Sequence, residues 1–374
     1  MTDKMENSVK YEIENVNLLD TPALVVYPSI VTSNIQQLID LFDDVQQIRP
    51  HVKTHKCPQV VRLLLDSGIT KFKCATIAEA EMLGLAGATD VLIAYQPVGP
   101  KIERLIRLMI TYPNCLFACL VDDKFAMEQI SEAATQNNVH INCYIDLNVG
   151  MDRTGVRPDD EAKGLFFYSQ KLTGIKIVGV HAYDGHLTDR DVNVRLTRAE
   201  AGFSKVKKLV NDLSVDGFPL LRIVAGSTPT LSFYAMQEDV ECSPGTFVYW
   251  DQHYQDSYPD LSFESAALVL TRVVSTPTSN TACLDLGYKA ISSEGEINER
   301  VSLLGHTEAK MVSHSEEHLL ISTGTEQLRI SEVVYGLPYH IGRTCNLYET
   351  SAIVEDGRIN GSWLHTARSR QINI

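Results

Sequence analysis

Apolar residues in the first two thirds of the chain fall into short continuous runs. These predict strands over 23–27, 72–75, 91–95, 116–121, 139–147, 175–181, 221–224 and 246–250, most of them rich in β-branched or aromatic residues. Between the runs, apolar positions recur three and four residues apart, as at Ile35, Leu38, Ile39 and Phe42. That spacing predicts helices over 29–45, 58–68, 102–109, 126–134, 160–172 and 192–213. Pro58 suits the first position of its helix, and Thr76-Ile77-Ala78-Glu79 has the form of a capping box opening another. The stretch 49–57 fills a further strand position between two helices. Strands buried on both faces that alternate with helices predict an α/β fold, a parallel (β/α)8 TIM-type barrel.

Past about residue 260 the pattern changes. Strand-like runs over 266–274, 282–286, 318–322 and 351–354 are separated by polar turns such as Glu355-Asp356-Gly357, and no long helix is predicted. This predicts a second, mainly β domain, to which the alternating Tyr11, Ile13 and Val16 add a strand. The expected division is a barrel domain over 19–260 and a β-rich domain made of 1–18 and 261–374.

The length of 374 residues accommodates both. A formal net charge of −14 argues against nucleic-acid or anionic-membrane partners, but leaves room for a small anionic ligand in a local positive pocket. The opening Met1-Thr2-Asp3-Lys4-Met5-Glu6-Asn7-Ser8 is polar, and no run approaches a membrane span, so the expected location is cytoplasmic. The eight cysteines form no CxxC pair and mostly sit in apolar runs, which predicts buried free thiols.

Candidate chemistry concentrates in Arg49-Pro50-His51-Val52-Lys53-Thr54-His55-Lys56-Cys57. A lysine attacks a carbonyl only as the neutral amine, and burial beside other cations favours that form of Lys53. A basic loop that binds an anion is the alternative. Gly226-Ser227-Thr228-Pro229-Thr230 follows a strand and offers close backbone approach and hydroxyls for a phosphate cup, with Pro244-Gly245-Thr246 a second contact. It is not a Walker motif. In a barrel, Asp146, Arg153, His181, Tyr183, Asp184 and His186 converge on the face that carries Lys53. Arg153 suits a phenolate or carboxylate, and His181 suits stacking on a flat ring. His340 and Cys345 are chemically suited to zinc but lack an evident third ligand. Asp251, Tyr254 and Asp285 are polar residues in apolar surroundings.

With these motifs assembled, the chain resembles the D-threonine aldolase and D-serine dehydratase-like family of pyridoxal phosphate enzymes, which have the alanine racemase-type barrel. The resemblance runs from Asp20-Thr21-Pro22 to Thr366-Ala367-Arg368. It implies that Lys53 carries pyridoxal 5'-phosphate as a Schiff base and that Arg153, His181 and Tyr183 face the cofactor. It also implies that Gly226, Ser227, Thr228, Thr230, Gly245 and Thr246 hold its phosphate. Lys53, Tyr183 and His340 are then the catalytic candidates. The implied reaction is cleavage of D-β-hydroxy amino acids, with dehydration, racemisation or a non-catalytic cofactor carrier as alternatives. A homodimer acting on a small amino-acid substrate is implied as well. Two positions depart from the pattern. Family aldolases often have histidine where Asp184 stands, and the metal-binding pair of the family, a histidine with a cysteine or aspartate two residues later, is here His340 and Gly342. A divalent metal is left open, with His340 its candidate ligand.

Overall fold

Strand β1 (Ala23–Val26) is an apolar run, as its composition predicts, but it pairs with strands from the far end of the chain. The structure, a computed structural model, describes residues 10–374, so the polar start 1–8 lies outside it. By Cα packing the chain forms two units. One comprises Gln36–Gly245 with Ala367–Ile374, and the other the residues up to Ile35 with Thr246–Thr366.

The first unit is built on seven parallel strands, each paired with the next: β2 (Lys71–Cys74), β3 (Asp90–Ile93), β4 (Leu116–Val121), β5 (Ile141–Asp146), β6 (Ile175–Ala182), β7 (Arg222–Ala225) and β8 (Val240–Cys242). The segment 48–51 takes the eighth position through isolated parallel bridges, Ile48 with Cys242 of β8 and His51 with Lys73 of β2. Arg49 N donates to Cys242 O (2.9 Å), and Lys73 N donates to Pro50 O (2.9 Å). The ring is an α/β barrel of eight parallel positions, closed by these bridges and not by a full ladder.

Inside the barrel, Leu92, Ala118, Leu120, Tyr144 and Val224 form an apolar plug. Burying each large side chain there contributes roughly 1.5–3 kcal/mol. Gly179, opposite Tyr144 in the register, leaves room for that ring: a Cβ at 179 would lie 2.7 Å from it. Helices such as Pro58–Asp66 and Pro100–Thr111 turn Val60, Val61, Leu64, Ile102, Leu105 and Ile106 into the buried layer outside the strands.

The expected strand over 246–250 is corrected. Residues Thr246–Val248 form a 3₁₀ turn, and the last barrel strand is the shorter β8. An apolar run of this kind is buried on all sides without being extended: Phe247, Val248, Tyr249 and Trp250 are all buried.

The second unit is a nine-stranded, mostly antiparallel sheet. It contains β1, β9 (Ala267–Thr278), β10 (Thr281–Leu284), β11 (Val301–Leu303), β12 (Lys310–His314), β13 (Leu319–Ser322), β14 (Val333–Pro338), β15 (Thr350–Glu355) and β16 (Arg358–Leu364). Here β1 runs antiparallel to β9 and parallel to β15. The strand expected around Tyr11, Ile13 and Val16 is not formed. Tyr11 and Ile13 are buried, but the chain turns into a short 3₁₀ helix, Val16–Leu18, and Tyr11 Oη donates to Ser265 O (2.9 Å). The alternation therefore reports burial of one side only. All eight cysteines are free, seven of them buried. Among the described residues, no helix is long and apolar enough to cross a membrane.

Candidate active site

The closing segment ends at His51, and the chain then makes a turn over 52–55 before helix Pro58–Asp66. Lys53 therefore sits on a turn at the carboxyl end of the barrel, not on the strand expected for it. Two contacts shape this turn. Lys53 N donates to His51 Nδ1 (3.2 Å), and Lys56, in the left-handed region at φ 50°, donates from Nζ to Glu79 Oε1 (2.5 Å). Glu79 is fully buried, and its other oxygen accepts from Ala75 N (2.6 Å). The expected capping box is thus half formed: Thr76 Oγ1 caps Glu79 N (3.1 Å), while the Glu79 carboxylate is spent on Lys56 and the strand end.

A cavity of about 590 Å³ opens at this end of the barrel, and Lys53, Arg153, His181 and Tyr183 all line it. Four residues expected to act together, from three separate stretches of chain, do meet. Lys53 reaches solvent through the cavity but is crowded by protein on its other sides. This burial, with Arg153 next, lowers its pKa from the ordinary lysine value. The neutral amine is thereby favoured.

Asp146 and His181 occupy paired positions on β5 and β6, and Asp146 Oδ1 and His181 Nδ1 are 2.7 Å apart. Burial lowers the histidine pKa against the opposing pull of Asp146, so the ring is neutral with its Nδ1 proton directed at the carboxylate. His181 Nε2 is then a buried acceptor with no hydrogen-bond partner among the described residues. His51 is neutral too, its pKa held well below the usual range by burial and then by Lys53 and Lys73. Next to Tyr183, Asp184 is buried, and burial raises its carboxyl pKa despite the neighbouring hydroxyls of Ser227, Thr230 and Tyr234.

The Gly226–Thr230 corner lies outside the cavity lining but in the same unit. Gly226 has φ +81°, and a Cβ there would sit 2.6 Å from the Tyr234 ring. Thr230 Oγ1 accepts from Ser227 N (3.1 Å), and Thr228 Oγ1 accepts from Gly245 N (3.1 Å). Buried Ser227, Thr228 and Thr230 thus join the ends of β7 and β8. Gly245 lies against the backbone of His51, with its Cβ position 3.1 Å from His51 O. The corner therefore abuts the Lys53 segment.

Thr246 and His340 belong to the other unit. His340 precedes the short helix Ile341–Cys345, whose Ile341 N donates to the buried Asp251 (3.0 Å). The donor set does not fit a metal. Among the described residues no three of His, Cys, Asp and Glu converge, and Gly342 has no side chain to offer.

The residues fit pyridoxal 5'-phosphate better. An amine biased to neutrality faces the cavity, with a guanidinium and an unpartnered imidazole nitrogen beside it and a glycine-hydroxyl corner adjoining. Sequence reasoning missed Lys73, which is 2% exposed and lines the same cavity. The available signal was a lysine inside an apolar strand that is covered on both faces.

Comparison with known proteins agrees with this geometry. The alanine racemase N-terminal domain model matches residues 28–253, and the model of a putative serine dehydratase domain matches 266–354. D-threonine aldolase of Arthrobacter sp. is 26% identical over 360 residues, covering 94% of this chain and 93% of that protein. D-threo-3-hydroxyaspartate dehydratase of Delftia sp. (strain HT23) is 26% identical over 282 residues, covering 74% and 73%. The crystal structure of D-threonine aldolase from Filomicrobium marinum superposes with a TM-score of 0.86 at 26% identity, over 94% of this chain and 95% of that one. The chain belongs to the alanine racemase N-terminal domain family, and it is similar over nearly its whole length to D-threonine aldolases.

Proposed function

We propose that this protein is a pyridoxal phosphate-dependent lyase that cleaves D-β-hydroxy amino acids to glycine and an aldehyde, with Lys53 as the residue that carries the cofactor. The observation behind this reading is the Lys53 amine, biased to neutrality, in a cavity that also holds Arg153, His181 and Tyr183. When bound, pyridoxal 5'-phosphate supplies an aldehyde that condenses with amines and a ring that accepts electrons from the substrate α carbon.

The side chains do the rest. Lys53 offers its neutral amine to the aldehyde and takes up or returns the proton of the amine it exchanges with. Arg153 provides a fixed positive charge for a phenolate or carboxylate oxygen. His181, locked by Asp146, presents an unprotonated Nε2 and a flat face, and Tyr183 closes the side of the cavity between Lys53 and Arg153. Gly226, Ser227, Thr228, Thr230, Gly245 and Thr246 are assigned to the phosphate, on the strength of small residues and hydroxyls at strand ends. For removal of the β-hydroxyl proton the candidate is His340, as the family resemblance implies. A cytoplasmic homodimer is part of the same reading.

Dehydration is the second reading, favoured by the similarity to the Delftia dehydratase and to the serine dehydratase domain model. Incubation with a panel of D-β-hydroxy amino acids separates the two. Aldehyde with glycine supports the aldolase, a 2-oxo acid with ammonia supports the dehydratase, and inverted chirality would mean racemisation. Lys53→Ala should abolish the borohydride-reducible cofactor linkage; a linkage that persists on another lysine refutes the assignment of Lys53.

A further inference from the structure

Lys73 has no part in the scheme above, yet it is the most deeply buried cation of the cavity. It stands on β2 in register with His51 on one side and Leu92 of the plug on the other. Its side chain is almost completely enclosed and still lines the cavity. No carboxylate among the described residues pairs with its amine. Instead, Lys73 Nζ lies 5.4 Å from the centroid of the Tyr183 ring, Lys53 Nζ 5.6 Å and Arg153 Cζ 5.2 Å from that same centroid. Three basic side chains surround one aromatic ring.

The carboxylates that act on Lys73 are committed elsewhere. Asp146 is bonded to His181, and Asp184 lies among the hydroxyls of Ser227, Thr230 and Tyr234. A buried surplus of positive charge without a counter-ion is stable only when a negative group enters or a proton leaves.

We propose that Lys73 is an anion-holding residue of this cavity, pairing there with an anionic oxygen of the bound ligand. The proposal rests on the reading that the cavity takes pyridoxal phosphate and an amino acid. The oxygen is then the phenolate of the cofactor or the carboxylate of the amino acid.

In the ligand-free protein, burial and then the charge of Lys53 lower Lys73 to about 7, while Cys242, Asp184 and Asp146 pull the other way. The other titratable groups lining the cavity are His51, Tyr95, Asp122, Arg153, His181 and Tyr183, and the Asp122 carboxylate accepts from Gly155 N (2.9 Å). Lys73 is therefore largely neutral at pH 8. An anion beside it restores the charge, so filling the site draws a proton from solvent.

Calorimetry on the full-length protein at pH 8, in two buffers of different ionisation heat, counts that proton. Pyridoxal 5'-phosphate is titrated into cofactor-free wild type, Lys73→Met and Lys73→Arg, and D-alanine is then titrated into each loaded protein. Wild type should take up about one more proton per site than Lys73→Met at one of the two stages, and the stage identifies the oxygen. Lys73→Met should bind that ligand at least about ten-fold more weakly, whereas Lys73→Arg, always charged, should bind nearly as wild type with the proton count of Lys73→Met. Equal counts in wild type and Lys73→Met at both stages overturn the proposal alone. A wild type that binds no pyridoxal phosphate overturns the functional reading and the proposal with it. If Lys73→Met fails to fold, acetic-anhydride labelling of the native protein decides. Lys73 should label at pH 8 without ligand and about ten-fold less with it, beyond any change at Lys56, since only the neutral amine reacts; undiminished labelling overturns the proposal.

Discussion

Asp146 and His181 stand opposite each other on neighbouring parallel strands, with the carboxylate oxygen 2.7 Å from the imidazole Nδ1. Both are buried, so each is the other's main compensation for lost water. Removing either leaves the survivor unsatisfied, at a cost of about 1–3 kcal/mol, whereas removing both is far less damaging. Asp146→Leu and His181→Phe should each lower the urea-unfolding free energy by about 2 kcal/mol, and the double variant by clearly less than the sum. Strict additivity in that cycle would show that the pair is not coupled.

Arg153 is the charge that most lowers Lys53 after burial itself. Removing a like charge lets the ammonium form persist to higher pH, so Arg153→Met should raise the Lys53 pKa. The pH at which cofactor loading reaches half its maximal rate, followed by imine absorbance, should move upward in the variant. The rate lost at neutral pH should return as the pH is raised. A profile parallel to that of wild type at every pH would mean that Arg153 acts only on affinity.

Much of this was legible along the chain, because barrel strands are continuous apolar runs and their carboxyl ends carry the polar residues. Lys53, Arg153, His181 and Tyr183 were found that way. Pairing was not legible. β1 has the composition of any buried strand, and its partners, β9 and β15, lie hundreds of residues away. β8 was overlooked because it is three residues long and contains Glu241, while the more apolar 246–250 nearby is a turn. Lys73 was overlooked for a related reason. Lys71 and Lys73 alternate with Phe72 and Cys74, which suggests a solvent face, but in a closed barrel that face is the interior.

Gly226 and Gly68 offer a controlled comparison. Their φ angles are +81° and +87°, yet a Cβ at 226 would strike the Tyr234 ring at 2.6 Å, while at 68 nothing lies within 4 Å. Gly68→Ala should therefore cost only the left-handed penalty of about 1–2 kcal/mol. Gly226→Ala should cost that plus displacement of a buried aromatic ring, roughly 1–3 kcal/mol more. It should also weaken cofactor binding, which Gly68→Ala should leave intact. Equal losses in thermal unfolding would mean that the Tyr234 ring yields freely.

At the opposite end of the barrel, fully buried Arg49 donates from Nε to Glu241 (2.6 Å) and from one terminal nitrogen to Asp90 (2.8 Å). It ties the closing segment to β3 and β8, so it helps to hold shut the ring that positions Lys53. Arg222 and Lys71 also reach these carboxylates, but from more exposed positions. Arg49→Met should destabilise the protein by about 3–5 kcal/mol, because it leaves buried charge poorly compensated. The loss should depend on pH in a defined direction. Burial pushes the Asp90 carboxyl up, but the charge and hydrogen bond of Arg49 more than offset this and hold it below the usual range. A depressed folded pKa contributes stability above the unfolded value of about 4 and loses it as pH falls through the folded value. The gap between wild type and Arg49→Met should thus be widest near pH 7 and narrow below about pH 4. Urea melts of both proteins at the two pH values measure it, and a gap that stays constant would mean that Arg49 contributes packing and not charge.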